Sequence, residues 1–317
     1  MNEINLSSEY GYVSHSDIVD PYYHTKLIDD WEFSYNQVSS GKFTGNLNKF
    51  WLDGIEIYEE KLTTCIFQEG SNKNNILCLG IFRNIENPVL WMGDTVGQND
   101  IISIHPNKEI MIKTPKESVF YALQIPVNLL LDEELEVMNN EIYSINNNIL
   151  SSRMYAKFFN IFENLEKTTS IINKNTKKYI KSELIDIGCD YINITQKEKP
   201  HNSYSKEKAR KVINEIINYL NFNKDSPITV EDCCQLTYTS RRTLQNYFEL
   251  VVGCSPSLFL KYWRLNGVRK MILNDKCNMN IGDIASYWGF WHLSQFSSDY
   301  KRLFGETPSQ TLLSTKK

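Results

Sequence analysis

The chain has 317 residues, 41% of them apolar, and a formal net charge of −4, which suits a full hydrophobic core divided over two domains. No run of 18 apolar residues occurs, and Met1 to Tyr10 holds neither a basic nor an apolar segment, so neither a membrane-spanning helix nor a secretory leader is expected. Seven cysteines without paired metal-type spacing point to reduced thiols and a cytoplasmic protein rather than a disulfide scaffold.

The charge is unevenly spread. From Ser203 to Lys317 there are 16 Lys and Arg against 10 Asp and Glu, whereas residues 1–202 hold 18 against 28. An acidic front half joined to a basic back half fits a sensor attached to a nucleic-acid binder.

Residues 1 to about 30 are polar and show no clear period. His15 and His24 stand there among Tyr10, Tyr12, Tyr22 and Tyr23, either against a ligand or on a surface arm. From Trp31 to Ile125 short alternating runs such as Trp31–Tyr35, Ile55–Tyr58 and Val119–Leu123 are punctuated by Gly, Pro, Asn and Asp. That pattern predicts an antiparallel, cupin-like β barrel over 31–125, a shape with room for a small molecule inside. Trp31, Trp51 and Trp91 are candidate pocket walls, with plain core as the alternative.

A cupin-like enzyme would need clustered imidazoles and a carboxylate around a metal. This half offers only His15, His24 and His105, well apart. No nucleophile with a partner and no phosphate-cradling glycine loop occurs either. No catalytic residue, metal or cofactor is assigned, and a binding or dimerisation domain is the expectation.

Residues 126–195 read as helical, from Leu129, Leu130, Leu131, Leu135 and Met138 through Met154–Phe162 to Tyr179–Ile187. They suit a homodimer face or a cover for their own barrel. Gln196 to Asn202 reads as a linker between a sensor domain (1–195) and a second domain (203–317).

That second domain is all helical. Lys206–Phe222 is amphipathic, with Ala209, Val212, Ile213, Ile216 and Leu220 on one face. Thr229 caps a short helix carrying Glu231 and Asp232 at its positive end. Ser240 then caps Arg241–Val251, and Gly253 stops it, which makes a helix-turn-helix over 229–252. A longer helix, about Pro256 to Leu273, leads to a second unit over 280–304. There Asn280 caps a short helix, Gly289 makes the turn, Leu293, Phe296 and Tyr300 form a stripe, and Gly305 with Pro308 ends it. Ser240 and Trp291 are 51 residues apart at equivalent positions.

In the first unit Leu244, Tyr247 and Phe248 turn inward, leaving Arg241, Arg242, Thr243, Gln245 and Asn246 toward DNA. Arg pairs bidentately with guanine and Gln or Asn with adenine, so this helix can read bases. In the second, Trp291, His292, Leu293, Ser294, Ser297 and Ser298 face outward, and Lys301 and Arg302 suit phosphates. A connector of about 27 Å, at roughly 1.5 Å per residue, would present both helices to successive major grooves about 34 Å apart.

These motifs resemble the AraC/XylS family of transcriptional regulators. The stretches that carry the resemblance are Pro227–Asp232 with Thr239–Gln245, Arg264-Leu265 with Val268-Arg269 and Leu273, and Gly289-Phe290 with Phe296 and Phe304–Ser309. The likeness covers about residues 203–317. It departs at Gly267, where the family usually has Ala. Ser240–Asn246 and Gly289–Leu293 are most similar to the ethanolamine-utilisation operon regulator subgroup, which implies ethanolamine with cobalamin. The front half shares only a faint likeness, and no effector or cofactor is carried over. The resemblance implies a DNA-binding regulator, an activator, with promoter DNA, RNA polymerase, a small-molecule effector and a second copy of the chain as partners. A ligand-independent regulator whose front half only dimerises is the alternative.

Overall fold

The computed structural model describes residues 9–28, 31–72, 75–106, 108–130, 144–167, 173–196, 204–224, 226–274 and 279–314. Its strands in chain order are β1 (Tyr10–Ile18), β2 (Trp31–Gln37), β3 (Gly45–Leu52), β4 (Ile55–Leu62), β5 (Ile66–Asn72), β6 (Ile76–Arg83), β7 (Val89–Trp91), β8 (Asp94–Val96), β9 (Asp100–Ile104), β10 (Glu109–Lys113), β11 (Ser118–Pro126) and β12 (Ser144–Asn146). They form two antiparallel sheets, one in the order β1-β3-β4-β11-β6-β9-β12 and one in the order β2-β5-β10-β7-β8.

Local chemistry explains the pairing. Asp53 and Gly54 both have positive φ, 49° and 83°, the backbone of a two-residue hairpin turn, and they set Leu52 opposite Ile55 between β3 and β4. The stretch left between a ligand contact and a surface arm holds strand β1, paired with β3 from Tyr10↔Leu52 to His15↔Leu47. Behind it α1 (Pro21–Thr25) is one helical turn, with proline at its start and Asp20 as N-cap.

The helices read between residues 126 and 195 divide. Val127–Leu129 is a 3-10 turn, and the part from residue 131 to 143 lies outside the described residues. Helices α2 (Asn148–Lys167) and α3 (Lys174–Thr195) pack on the seven-stranded sheet. Met154, Phe158 and Leu184 are buried there with Phe50, Leu79 and Leu123, and the Tyr191 hydroxyl meets Ser103 Oγ at 2.6 Å. Their apolar stripe therefore covers their own sheet. Of the expected linker, residues 197–202 lie outside the described residues.

The helical domain consists of α4 (Tyr204–Phe222), α5 (Val230–Leu236), α6 (Arg241–Val251), α7 (Pro256–Ile272), α8 (Ile281–Tyr287), α9 (Leu293–Phe304) and α10 (Pro308–Ser314). The five-stranded sheet is buried on both faces. Ile110, Ile112 and Gln68 face the space between the sheets, while Phe67, of opposite parity on β5, meets Phe259 of α7 edge-on with ring centroids 5.6 Å apart. One hydrophobic cluster consequently runs from the barrel into the helical domain. Helix α7 is buried on most sides: Phe259, Leu260, Trp263, Leu265, Val268 and Ile272 are all buried, and so are Asn266 and Arg269, as expected of a helix enclosed by its neighbours.

Candidate functional site

Each helix-turn-helix unit is built from local signals. Thr229 and Asp232 form a reciprocal capping box at α5, and hydrogen bonds from the Thr229 backbone and hydroxyl hold the Asp232 carboxyl below its usual range. Ser240 caps α6 by accepting from Thr243 N at 3.2 Å. Leu244, Phe248 and Val251 are buried beneath it. Arg241, Arg242 and Asn246 are exposed, and Thr243 and Gln245 are half-buried. Two of these side chains are already engaged within the unit. Arg241 lies 2.6 Å from Glu231, and Gln245 Nε2 donates to Glu249 at 2.7 Å.

In the second unit Asn280 caps α8 by accepting from Asp283 N at 2.9 Å. Phe296, Tyr300, Leu303 and Phe304 form the buried face of α9. Leu293, Ser294, Ser297, Ser298, Lys301 and Arg302 are exposed, as are Trp291 and His292. His292 occupies the N-cap position without making a side-chain cap, so the first amides of α9 are open to an anion. Arg302 leans back toward the buried Asp299 at 3.6 Å.

The two units differ by one residue. The N-caps Thr229 and Asn280 are 51 apart, but the helices they lead to, α6 and α9, begin 52 apart. The extra residue lies in the second turn, where Trp291 projects with 74% of its surface exposed. The equivalence set between Ser240 and Trp291 therefore holds for the first helices and fails for the second. Tyr238 stands where the second unit has Gly289. Both have positive φ, 49° and 74°, and Tyr238 is 98% exposed. A bulky residue in that region costs energy, and sequence patterning alone gives no hint of it.

Gly267 has a steric reason. A Cβ there would stand 2.3 Å from the Trp288 ring, so the indole of α8's C-cap lies directly on the α7 backbone. Gly289 is held likewise, with Pro227 2.6 Å from a would-be Cβ.

Both units are fastened to the barrel. Asn266 of α7 accepts from Gln37 N at 2.9 Å and donates to Gln37 O at 3.0 Å. Gln37 Nε2 and Gly41 N both donate to Leu303 O at the end of α9, at 2.8 and 3.0 Å. Lys113 Nζ donates to Gly253 O after α6 at 3.3 Å, and Arg210 of α4 donates to Met92 O at 2.9 Å. Arg241, Arg242 and Asn246 on α6 and the outward face of α9 stay exposed.

Between the sheets lies an apolar cavity. Trp31 and Trp91 are in its wall, with Phe33, Phe82 and Phe120. Trp51 is not. It shares the inward face of β3 with Leu47, a wall residue, but stands at the far end of the strand, where it packs over Gly11 of β1. His15 lies half-buried on β1, and His24 is fully buried beside Glu60, with Nε2 2.8 Å from Oε1. Among the described residues no group of three His, Cys, Asp or Glu gathers as for a metal, and no helix is long and apolar enough to cross a membrane.

A family model for a helix-turn-helix domain matches residues 233–314. The XylDLEGF operon transcriptional activator of Pseudomonas putida is 32% identical over 103 residues, which are 32% of this chain and 32% of that protein. The HTH-type transcriptional regulator GbdR of Pseudomonas aeruginosa (strain UCBPP-PA14) is 31% identical over 96 residues, 30% of this chain and 26% of that one. The matched segment thus spans about a third or less of these relatives' length. Among solved structures, the AraC-like transcriptional activator CuxR is 16% identical, with 81% of this chain and 94% of that one covered and a TM-score of 0.46. ToxT from Vibrio cholerae O395 is 13% identical, with 90% and 98% covered and a TM-score of 0.31.

Proposed function

We propose that this chain, which carries the helix-turn-helix domain of AraC/XylS transcriptional regulators, binds promoter DNA sequence-specifically and regulates transcription in response to a small molecule held in its β domain. One observation carries the reading: α6 and α9 each expose a polar face while their apolar faces are locked into one domain. Arg242, Gln245 and Asn246 on α6 supply base readout, with Arg241 released from Glu231 on binding. On α9, Lys301, Arg302 and the uncapped N-terminus supply phosphate contacts, with Trp291, His292, Leu293, Ser294, Ser297 and Ser298 lining the groove. Discrimination is therefore led by the first unit.

The cavity containing Trp31 and Trp91 is the effector site in this reading. A ligand acts by preferring one arrangement of barrel and DNA-binding domain over another. The named activators among the relatives favour activation, with RNA polymerase as a partner in the cytoplasm. Ile149 and Phe159, exposed on α2, are the apolar points left for a second copy of the chain. The likeness of Ser240–Asn246 and Gly289–Leu293 to the ethanolamine-utilisation regulators remains a motif-level reading of the DNA-binding half.

A footprint of the purified protein on the DNA upstream of its own reading frame tests the proposal. Protection over two successive major grooves on one face is expected. Uniform, salt-sensitive coating without a preferred site would reduce the protein to a non-specific binder.

A further inference from the structure

Among the described residues the barrel cavity has one charged wall residue. Its lining is otherwise aliphatic and aromatic, apart from Gln68, Gln124, Thr114 and Cys78, and neither Lys nor Arg is part of it. The charged residue is Glu60, only 3% exposed. Its two neighbours both approach Oε1: the Tyr35 hydroxyl donates at 2.9 Å, and His24 Nε2 lies 2.8 Å away. Gln124 Oε1, in the same wall, is buried without a hydrogen-bond partner. A buried polar atom left unmet costs about 1–3 kcal/mol, so Gln124 Oε1, in the same apolar cavity as the buried Glu60 carboxylate, calls for a donor from outside the chain. The aromatic walls add to this. Trp31 stacks on Phe33 with centroids 4.5 Å apart, and ring faces attract cations.

We infer that the cavity takes a small organic amine, a molecule with an apolar or aromatic body and an ammonium group directed at Glu60. The inference rests on the effector reading given above and names the ligand class. A carboxylic acid of the same shape would bring a second negative charge into a site with no compensating Lys or Arg in its wall. A very hydrophilic amine such as ethanolamine would leave the apolar walls unfilled.

The test uses the full-length protein and three matched series: primary amines, alcohols and carboxylic acids on the same phenyl and straight-chain bodies, with ethanolamine alongside. Binding is read from the shift in thermal midpoint and from tryptophan fluorescence, since Trp31 and Trp91 lie in the wall. The amines are expected to bind best in each set, with 2-phenylethylamine ahead of ethanolamine. Glu60→Gln, which keeps an acceptor for Tyr35, is expected to weaken amine binding about ten-fold or more and to leave the matched alcohols unchanged. Acids binding as well as amines, no amine binding better than its alcohol, or an unchanged amine preference in E60Q would each overturn the inference. If E60Q does not fold, the wild-type order across the three series decides alone. A footprint on the upstream DNA run in parallel separates the outcomes: lost amine preference with intact protection removes this ligand class only, whereas lost protection removes the regulator reading itself.

Discussion

Arg269, on the α7 helix of the DNA-binding domain, donates through Nε to Asp20, the residue that caps α1 at the edge of the barrel. Its Nη1 lies 2.8 Å from Glu306, just past α9, and 3.3 Å from the Tyr300 hydroxyl. Burial pulls the Arg269 pKa down, but Asp20, Tyr300 and Glu306 outweigh it and the net shift is upward. The far end of α1 holds His24 against Glu60 in the cavity wall. One turn of helix thus spans from a cavity carboxylate to the ion pair that fastens the second helix-turn-helix unit.

Because the pair is buried, removing one partner strands the other. Arg269→Met leaves both Asp20 and Glu306 without their cation and is expected to cost on the order of 3–5 kcal/mol in urea unfolding. Asp20→Asn retains the cap of α1 and leaves Glu306 on Arg269, so its cost should be smaller. The double variant should cost less than the sum. Equal, negligible effects would mean that the ion pair does not hold the domains together.

Gly267 sets two effects against each other. Ala is better than Gly inside a helix by about 1 kcal/mol, so an exposed site would gain from the change. Here the new methyl meets the Trp288 ring, and overpacking of that kind costs about 1–3 kcal/mol. Gly267→Ala is therefore expected to lower the unfolding midpoint, and Trp288→Leu in the same chain to restore part of it. A stabilised single variant would show that the α7–α8 contact can open without penalty.

Much of the DNA-binding half was legible because its signals are local. N-caps, stop glycines and apolar stripes act within a turn or two, and Thr229, Ser240, Asn280 and Gly305 all do what their residue types suggest. The barrel's contacts with that half were not legible. Gln37–Asn266 and Asp20–Arg269 join residues 229 and 249 positions apart, and no periodicity records such a pairing. Strand β1 escaped notice because it lies at a sheet edge and is nowhere fully buried, so its alternation is weak. Among the tryptophans, Trp51 has the inward parity of Leu47 on β3, and what takes it out of the cavity is its place at the strand's far end over Gly11, which alternation does not record. The extra residue in the second turn shows only when two spacings are compared: the N-caps Thr229 and Asn280 are 51 apart, and the stop glycines Gly253 and Gly305 are 52 apart.

Tyr238 is strained and almost wholly exposed, so nothing inside the fold accounts for it. Tyr238→Gly should stabilise the domain by roughly 1 kcal/mol by relieving the left-handed backbone while weakening DNA binding, if strain there serves a contact. The two readouts are separate. Stabilisation with unchanged affinity would make the tyrosine incidental.

On α6, Arg242→Ala and Gln245→Ala are each expected to cost about 1–3 kcal/mol of binding and to relax preference at one base pair. Lys301→Ala should weaken all sequences alike and shallow the salt dependence by about one ion. Affinity and preference left at wild-type values in both α6 variants would remove that helix as the reader.

Lys270 gives the pH dependence a definite sign. Burial lowers its pKa from 10.5 to about 8, against the opposing pull of Glu69 and Asp20, although Nζ donates to Ser34 at 3.1 Å and Asn36 at 3.4 Å. Between pH 8 and 10.5 the unfolded chain holds this proton and the folded chain does not. Stability contributed by Lys270 therefore rises with pH across that window, and below about 8 the buried charge is a standing cost. The thiols run the other way. Burial raises Cys78 and Cys233 from 9.0 to about 12, so their contribution falls as pH climbs above 9. Wild-type stability alone would mix the two, and the informative quantity is the difference between wild type and Lys270→Met. That difference should favour the variant most below pH 8 and shrink steadily toward 10.5, as urea midpoints at stepped pH would show. A flat difference would mean that Lys270 keeps its proton through the window.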